Sequence, residues 1–351
     1  MRAMIMAAGM GERLKPLTSP LPKPMVPILN TPVMEYSLKL LKQHGIRDII
    51  ANTHYNPQYI KQYFGDGRRF NIQLSYSYEK ELLGTAGGVK NNKGFLNETF
   101  FVLSGDALTD INLSDMYEFH RRKGSIATIA LKPVRNVSLY GVVVTDYGGT
   151  IKAFQEKPSH QEALSNIVNT GVYLFEPEIF NYIPDGFYDF GSQLFPKLLE
   201  LGAGFFGFQT NDYWCDIGAI EAYKLAHIDI LRLPTLFNFA LADGRYQLKG
   251  SCFSGINTST NLNLDLGENV FIGRNCQIGS DVSLNNCIVW DNSAIQDNVV
   301  INNAIIGSNC LIGMNTIIQE GTLIGSNTVI GRDLFLEKNT AIQPNSVVYA
   351  C

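Results

Sequence analysis

Residues 4–24 read MIMAAGMGERLKPLTSPLPKP, and this stretch decides how the first part of the chain is interpreted. Its apolar start has the length of a buried strand and ends at Gly9 and Gly11. Two glycines in a loop let backbone N–H groups approach a polyphosphate, and Arg13 and Lys23 add positive charge. The stretch lacks the G-K-[ST] of a Walker motif and the third glycine of a dinucleotide fingerprint. It therefore predicts a strand followed by a phosphate-binding loop of a different kind.

Short apolar runs alternate with amphipathic stretches as far as residue 232. This alternation predicts an α/β, Rossmann-like domain over residues 1–232, with a mixed, mostly parallel sheet. The predicted strands are Ala3–Ala8, Asp48–Thr53, Ile72–Tyr76, Phe100–Leu103, Ser125–Leu131 and Gly141–Thr145, and the predicted helices are Val33–His44, Leu113–Lys123 and Glu221–Leu231. Ligands of such sheets bind at the carboxyl ends of strands, which directs attention to Gly9–Arg13 and Gly105–Asp106.

The last part of the chain repeats an aliphatic residue every six positions. The series is Ile272, Ile278 and Leu284, then Ile306, Ile312, Ile318, Ile324, Ile330, Leu336, Ile342 and Val348. A period of six predicts a left-handed parallel β-helix of hexapeptide repeats over 263–351, preceded by an irregular connector over 233–262. Recurring Gly and Asn residues would allow its corners positive φ angles. The interval between Leu284 and Ile306 is not a multiple of six, so we expect a register slip around Asn285–Val289.

Composition excludes several classes of protein. With 45% hydrophobic and 17% charged residues among 351, the chain has the composition of a folded protein of about two domains. A net charge of −4 offers no broad basic face, so we expect neither nucleic acid nor a membrane as partner. The six cysteines form no C-x-x-C pair, which argues against a zinc site. The first apolar run is too short for a signal peptide, and we expect a reduced, cytoplasmic protein.

Six motifs occur in the order typical of the sugar nucleotidyltransferases, or sugar-1-phosphate pyrophosphorylases, and the chain resembles this family. Residues 7–14 and 22–24 resemble the opening A-A-G-x-G-x-R-L and P-K-P, with Glu12 where many members have Thr. The remaining segments are Leu83–Gly88 (LGTAGG), Leu103–Asp106 (LSGD), Glu156–Pro158 (EKP), Asn169–Tyr173 (NTGVY) and Trp214–Gly218 (WCDIG). With the hexapeptide repeats, the resemblance extends over nearly the whole chain.

The resemblance implies a reaction and a role for each matching residue. A sugar-1-phosphate oxygen attacks the α-phosphorus of a nucleoside triphosphate and pyrophosphate leaves, with Arg13, Lys23 and Asp106 as catalytic residues and Mg²⁺ shared by Asp106 and Asp216. The residues implied in nucleotide binding are Ala8, Gly9, Gly11, Arg13, Lys23, Gly84, Thr85 and Ala86. Those implied in binding the hexose 1-phosphate are Gly141, Glu156, Lys157, Asn169, Thr170 and Gly171. Asp110 and Asp115 are interpreted as turn and helix-start residues.

The substrate pair stays open at this point. The combination of the segment at 83–88, a catalytic domain of moderate length and a C-terminal hexapeptide β-helix looks most similar to mannose-1-phosphate guanylyltransferases, which use GTP. Glucose-1-phosphate thymidylyl- or uridylyltransferases are the alternative. A non-catalytic regulatory homologue would be expected to have lost a metal aspartate or a phosphate-binding cation, and this chain keeps them. The β-helix is interpreted as a structural domain that supports a homo-oligomer, since no histidine follows His227 to serve an acyltransferase.

Overall fold

The computed structural model describes residues 1–233, 236, 238, 246–261 and 263–349. Contacts divide the chain into two units, one formed by Met1–Gly9 with Ser37–Asp216 and the other by Met10–Tyr36 with Ile217–Cys351. This division differs from the predicted boundary, because the glycine-rich loop and the segment after residue 216 group with the β-helix. Of the predicted connector, residues 234, 235, 237, 239–245 and 262 lie outside the described residues, as do residues 350 and 351 of the predicted β-helix.

Helices and short strands alternate through the first 233 residues. The helices are α1 Val33–Gln43, α2 Pro57–Phe64, α3 Gly84–Lys90, α4 Leu113–Lys123, α5 Phe195–Glu200 and α6 Ile220–Ile230. The strands are β1 Arg2–Met6, β2 Pro27–Ile28, β3 Thr31–Pro32, β4 Asp48–Thr53, β5 Gln73–Tyr78, β6 Phe100–Ser104, β7 Ala107–Thr109, β8 Ala127–Pro133, β9 Gly141–Thr145, β10 Ile151–Glu156, β11 Ile167–Phe175, β12 Phe205–Gln209 and β13 Trp214–Asp216. Among the described residues, no helix has the length and apolar composition needed to cross a membrane.

The first unit is built on a nine-stranded mixed sheet, which confirms the predicted α/β class. Its main path runs β10-β9-β11-β6-β1-β4-β5, and β8 pairs with β11 and β12. Strand β1 is parallel to β4 and β6, whereas β11 is antiparallel to β6, β8 and β9. Ala3, Met4 and Ile5 are completely buried, as expected for a central strand covered on both faces. Met6 is aligned with Ser104, so the carboxyl ends of β1 and β6 lie side by side.

The second unit contains a parallel β-helix with three sheets. Its strands are β14 Tyr246–Lys249, β15 Cys252–Gly255, β16 Ser259–Thr260, β17 Asp265–Leu266, β18 Phe271–Ile272, β19 Gln277–Ile278, β20 Ser283–Asn285, β21 Ile288–Val289, β22 Ala294–Ile295, β23 Val300–Asn302, β24 Ile305–Ile306, β25 Leu311–Ile312, β26 Ile317–Ile318, β27 Leu323–Ile324, β28 Val329–Ile330, β29 Phe335–Leu336, β30 Ala341–Ile342 and β31 Val347–Val348. Strands β15 and β16 pair parallel with β18 and β19, so the coil begins inside the segment predicted as an irregular connector.

The predicted register slip is confirmed, and the structure shows a second one. The inward residues continue from Leu284 to Val289, Ile295, Ile301 and Ile306, all buried. The first and last of these steps span five residues instead of six, which accounts for an interval that is not a multiple of six. Each five-residue side shortens one coil, since Val289 pairs with Ile306 across 17 positions (306 − 289) whereas Ile306 pairs with Ile324 across 18 (324 − 306).

Gly273, Gly307 and Gly325 do not have positive φ, which corrects the prediction for these three corners. Gly321, which takes the corner position of Asn303 in the next coil, does have positive φ, at 77°. Asn275, Asn309 and Asn327 have φ of 54°, 57° and 60°. The glycines before them serve close packing: a Cβ on Gly273 would lie 2.4 Å from the nitrogen of Asp291 in the next coil. The asparagine side chains bond along the stack, as where Asn309 Nδ2 donates to Asn327 Oδ1 at 3.0 Å.

His227, in α6, makes the stability of the second unit depend on pH. It is buried, its ring lies 5.0 Å from that of Phe271, and its Nδ1 bonds to the Tyr223 carbonyl at 3.0 Å. Burial lowers the pKa of His227 to about 4 from 6.5. Above pH 6.5 the group is neutral whether the chain is folded or unfolded. Between pH 6.5 and 4 the unfolded chain binds more protons, so stability falls as the pH falls.

We expect the free energy of unfolding to drop by about 3 kcal/mol across that window because of His227. His227→Gln, which cannot be protonated, should remove this part of the pH dependence. Urea unfolding of both proteins at pH 7 and pH 5 measures the part of this change that falls above pH 5, about 2 kcal/mol. Equal changes in parent and variant would show that His227 does not contribute.

Candidate active site

Two aspartates that are far apart in the sequence meet at the carboxyl end of β6. Asp106 follows that strand, and Asp216 ends β13. Strands β7 and β13 pair antiparallel with Ala107 aligned to Asp216, which puts the second aspartate opposite the neighbour of the first. Both are half-buried, and the Ser104 hydroxyl donates to Asp106 Oδ1. The structure thus places the two aspartates predicted to share a cation at neighbouring positions of the main chain.

A clamp of polar groups holds the β7–β13 pair in register. Asp110 Oδ1 accepts a hydrogen bond from the Tyr213 nitrogen at 2.7 Å, and the Thr109 hydroxyl donates to the Tyr213 carbonyl at 2.7 Å. Burial raises the pKa of Asp110, which this backbone hydrogen bond opposes. Asp110 is therefore more than the turn residue that the sequence predicted, whereas Asp115 lies in the first turn of α4 as expected.

Gly105 fits Asp106 against the end of β1. Its nitrogen donates to the Met6 carbonyl at 2.9 Å, and a Cβ at this position would lie 2.8 Å from that same oxygen. Any other residue would push the loop away from the strand. The lack of a side chain at Gly105 therefore keeps Asp106 next to the start of the glycine-rich segment, where Ala8 is buried and Gly9 is exposed.

The predicted sugar segment 169–171 forms a bulge in β11. Gly171 has φ of 76° and its nitrogen bonds to Asn169 Oδ1 at 2.9 Å. The Thr170 hydroxyl donates to the Ala130 carbonyl at 2.8 Å, and the Thr170 carbonyl accepts from Trp214 Nε1 at 2.6 Å. Thr170 is buried and bonded to the protein on both sides, so it holds the bulge in place.

Glu156 and Gly141 are aligned across the β9–β10 pair. Lys157 follows Glu156 with φ of 45°, and the two side chains form an ion pair at 3.4 Å with 62% and 41% of their surfaces exposed. Gly191 was missed by sequence reasoning: a Cβ there would lie 2.3 Å from Glu156 Oε2. The absence of a side chain at Gly191 leaves room for the Glu156 carboxylate.

The charge around Tyr173 is negative. Burial raises the pKa of Tyr173, and the charges of Asp189, Glu156 and Asp106 add to the rise. Asn169 Nδ2 donates to its hydroxyl at 2.9 Å. Carboxylates from three separate segments thus lie near the Tyr173 hydroxyl. A polyphosphate could approach these negative charges only together with compensating cations.

The predicted base-binding segment at the start of α3 is tied to residues 186–190. Gly84 has φ of 72°, and a Cβ on it would lie 2.6 Å from the Tyr188 carbonyl. The Thr85 hydroxyl donates to Asp189 Oδ2 at 2.9 Å and accepts from the Phe190 nitrogen at 2.7 Å. Ala86 is completely buried in the core. Their contact with a base or ribose stays a prediction, and for Ala86 it concerns the backbone.

A buried chain of hydrogen bonds that sequence reasoning missed links β1 to this segment. The Ala7 nitrogen donates to Asn52 Oδ1 at 2.8 Å, and Asn52 Nδ2 donates to Glu79 Oε1 at 2.7 Å. Glu79 Oε2 accepts from the Leu83 nitrogen at 3.2 Å. Asn52 and Glu79 are 5% and 3% exposed, so their polar groups depend on these bonds. Asn52 lies at the carboxyl end of β4 and Glu79 directly follows β5, and these positions were the features of the sequence that could have pointed to them.

The predicted phosphate-binding cations lie in the second unit, on a loop that closes on itself. Gly11 has φ of 70°, and a Cβ on it would lie 3.0 Å from Lys23 Cβ. The Thr18 hydroxyl donates to the Gly11 carbonyl at 2.8 Å. Lys23 is 7% exposed, whereas Arg13 is exposed in the 3₁₀ turn Glu12–Leu14. Gly11 is therefore required for the path that brings the main chain back to Lys23.

Comparison with known proteins agrees with the motifs. Residues 2–232 match the Nucleotidyl transferase family, and residues 245–348 match the EIF2B subunit epsilon LbH domain. A UTP–glucose-1-phosphate uridylyltransferase from Synechocystis sp. is 44% identical over 276 residues, which are 74% of this chain and 70% of that protein. A mannose-1-phosphate guanylyltransferase from Mycobacterium tuberculosis is 34% identical over 233 residues, 66% of this chain and 64% of that one.

Solved structures show the same architecture for about two thirds of the chain. HddC from Yersinia pseudotuberculosis covers 65% of this chain with a TM-score of 0.58 and 28% identity, and 99% of HddC is matched. A second structure of HddC is a complex with GMP-PN. The family match spans more than half of the chain and includes the motifs at both aspartates. The chain belongs to the nucleotidyl transferase family and is a sugar-1-phosphate nucleotidyltransferase.

Proposed function

We propose that the chain transfers a nucleoside monophosphate from a nucleoside triphosphate to a hexose 1-phosphate and releases pyrophosphate. A sugar-phosphate oxygen forms the new bond to the α-phosphorus while the bond from that phosphorus to the β-phosphate oxygen breaks. The observation that carries this proposal is the pairing of β7 with β13, which places Asp216 opposite Ala107, the residue that follows Asp106.

Repulsion between two polyanions is the main obstacle to this reaction, and positioning and charge neutralisation are the means to overcome it. In our proposal Lys23 and Arg13 bind the triphosphate, with Arg13 near the leaving pyrophosphate. Lys157 binds the incoming sugar phosphate, and Glu156 accepts hydrogen bonds from sugar hydroxyls. Gly9 and Gly11 offer backbone N–H groups to the phosphates.

Asp106 and Asp216 are suited to hold Mg²⁺ together with substrate phosphates. Mg²⁺ prefers hard oxygen ligands and is commonly bound by one or two carboxylates plus phosphates. Among the described residues, no group of three or more His, Cys, Asp or Glu side chains is arranged to hold a metal, so a cation here would depend on substrate oxygens. When bound, such an ion supplies charge neutralisation at the reacting phosphate.

We propose UTP and glucose 1-phosphate as the principal substrate pair. The support is the 44% identity to a UTP–glucose-1-phosphate uridylyltransferase over 276 residues, against 34% over 233 for the guanylyltransferase. GTP with mannose 1-phosphate is the second candidate. It is favoured by the combination of sequence motifs with a C-terminal β-helix and by the related HddC structure that contains GMP-PN.

Pyrophosphate release over a grid of triphosphates and hexose 1-phosphates distinguishes these pairs. UTP with glucose 1-phosphate should give the highest kcat/KM, and GTP with mannose 1-phosphate is the pair to compare. A higher kcat/KM for GTP with mannose 1-phosphate would make that pair the principal substrates and contradict the proposal of UTP and glucose 1-phosphate. A grid without activity, from folded protein that binds nucleotide, would favour a regulatory homologue.

Lys157→Ala should raise the KM for the hexose 1-phosphate about 10-fold or more, because a charge-assisted hydrogen bond to phosphate is lost. The KM for the triphosphate should change little. Lys152→Ala is the matched control, since Lys152 lies on β10, the strand that ends just before Lys157, is 57% exposed and pairs with Asp146 at 3.1 Å. An unchanged KM in Lys157→Ala would remove this residue from the sugar-phosphate site.

Assembly of the β-helix into a homo-oligomer stays a prediction. Leu311, Phe335 and Val347 are outward-facing apolar side chains of its C-terminal coils and are 36%, 55% and 60% exposed. Exposed apolar residues on flat coil faces favour association. Light scattering of the purified chain measures the mass in solution.

A further inference from the structure

The main chain that follows Lys23 is bonded to α6 and, through it, to the β-helix. The Tyr223 hydroxyl donates to the Pro27 carbonyl at 2.6 Å and accepts a hydrogen bond from Trp290 Nε1 at 2.9 Å. Tyr223 is completely buried and Trp290 is 4% exposed. Because these polar groups are shielded from water, each depends on the other for its hydrogen bond. A relay thus runs from the coil through α6 to the loop.

A second contact holds the tip of the β2–β3 hairpin. Leu29 and Asn30 have φ of 44° and 64°, which makes the tight turn, and Pro27 is aligned with Pro32. Arg274 Nη2, from the coil, donates to the Asn30 carbonyl at 2.7 Å. A Cβ on Gly255 would lie 2.5 Å from Asn30 Nδ2, so the tip fits closely against the coil.

Only a few bonded residues separate this hairpin from Lys23. The Val26 nitrogen donates to the Lys23 carbonyl at 3.1 Å, and the Val33 nitrogen donates to the Val26 carbonyl at 3.0 Å. Lys23 in turn packs against Gly11. Displacement of the hairpin would therefore move the backbone that carries the buried lysine. All of these residues belong to the second unit.

We propose that Tyr223, Trp290 and Arg274 are positioning residues that fix the Lys23 loop for the triphosphate. This inference rests on the proposed function, in which Lys23 binds that substrate. The β-helix then has a task in catalysis besides association: it pre-organises the cation before the nucleotide binds. Loss of a contact should weaken triphosphate binding and leave hexose 1-phosphate binding unchanged.

Tyr223→Phe removes one hydroxyl and keeps the ring. Trp290→Phe removes the indole N–H together with part of the ring system, and Arg274→Met keeps the stem of the side chain. Thr316→Val is the matched control, because the Thr316 hydroxyl is completely buried and donates to the Gly331 carbonyl at 2.9 Å inside the coil. It should cost stability comparable to the other changes without touching the loop.

We expect Tyr223→Phe, Trp290→Phe and Arg274→Met to raise the KM for the triphosphate about two- to tenfold, as the loss of one hydrogen bond implies. The KM for the hexose 1-phosphate should stay at the parent value. In the double variant of Tyr223 and Trp290, the KM for the triphosphate should rise little more than in either single variant, because both changes break the same hydrogen-bond relay. Amide exchange at Val26 and Val33 should become faster in these variants and stay unchanged in Thr316→Val.

Calorimetric titration with Mg²⁺–UTP and Mg²⁺–GTP, without sugar phosphate, separates this inference from the proposed function. Weaker nucleotide binding in the three variants supports positioning even if the parent enzyme shows no turnover, an outcome that would count against the proposed function alone. Nucleotide binding equal to that of the parent in Tyr223→Phe, or an equal loss in Thr316→Val, would overturn the positioning role. Tyr223→Phe removes only one oxygen atom and is expected to fold. It therefore tests the positioning role even if Trp290→Phe does not fold.

Discussion

Asp106→Asn is expected to lower kcat by about 10²–10³-fold, because removal of one preorganised electrostatic contact in an active site has that effect. The amide keeps the size of the side chain and can still accept the Ser104 hydroxyl hydrogen bond, so the fold should be retained. The loss should come with weaker dependence of the rate on Mg²⁺. Steady-state rates over a range of Mg²⁺ concentrations, with circular dichroism as the test of folding, measure both effects.

Asp216 supplies a stringent control on this result. If one cation is shared, Asp216→Asn should resemble Asp106→Asn, and the double variant should lose little more than either single one. Asp115→Asn is the matched surface control, because this carboxylate is exposed in the first turn of α4 and accepts a hydrogen bond from Asn112 Nδ2 at 2.8 Å. Full activity in Asp106→Asn, or multiplied losses in the double variant, would contradict a shared site.

Lys23→Met is expected to lower kcat/KM for the triphosphate about 10²-fold. The substitution keeps the length and the buried apolar stem of the side chain and removes its charge, so the triphosphate loses a preorganised cation. Initial rates with the triphosphate varied at saturating hexose 1-phosphate give the ratio.

Lys15→Met is the matched control in the same loop, since Lys15 is 47% exposed and pairs with Glu12 at 2.6 Å. It should retain the parent kcat/KM. Equal effects of the two substitutions would mean that Lys23 acts only through the general charge of the loop, and the triphosphate assignment would then be wrong.

The sequence was informative where a structure repeats or where one residue type is needed. From Leu266 onward an aliphatic residue recurs at every side of the coil, so the β-helix and its first slip could be predicted. At the start of the coil Ser254 and Thr260 take the positions aligned with Ile272 and Ile278, which hid its first sides. The second slip, between Ile301 and Ile306, was hidden because Ile305 and Ile306 are both aliphatic. The asparagines carried the missing signal: Asn292, Asn298 and Asn303 mark the corners with positive φ and change spacing from six to five.

The proximity of Asp106 and Asp216 in the fold could be predicted from their motifs, whereas the residues that support the site could not. Asn52 and Glu79 act through a buried hydrogen-bond chain between segments distant in sequence, and neither has a motif around it. Gly191 matters only because Glu156 lies against it. The association of the Lys23 loop with the β-helix depends likewise on the Tyr223 hydroxyl, which no periodicity shows.

Transfer of an α-³²P label tests the central claim most directly. The chain is incubated with α-labelled UTP or GTP, Mg²⁺ and the matching hexose 1-phosphate, and the labelled product and pyrophosphate are quantified with and without the sugar phosphate. The account predicts label in the nucleoside diphosphate sugar in equal amount to pyrophosphate, and neither product without the sugar phosphate. Pyrophosphate released at the same rate without the sugar phosphate, with the label in free nucleoside monophosphate, would contradict it.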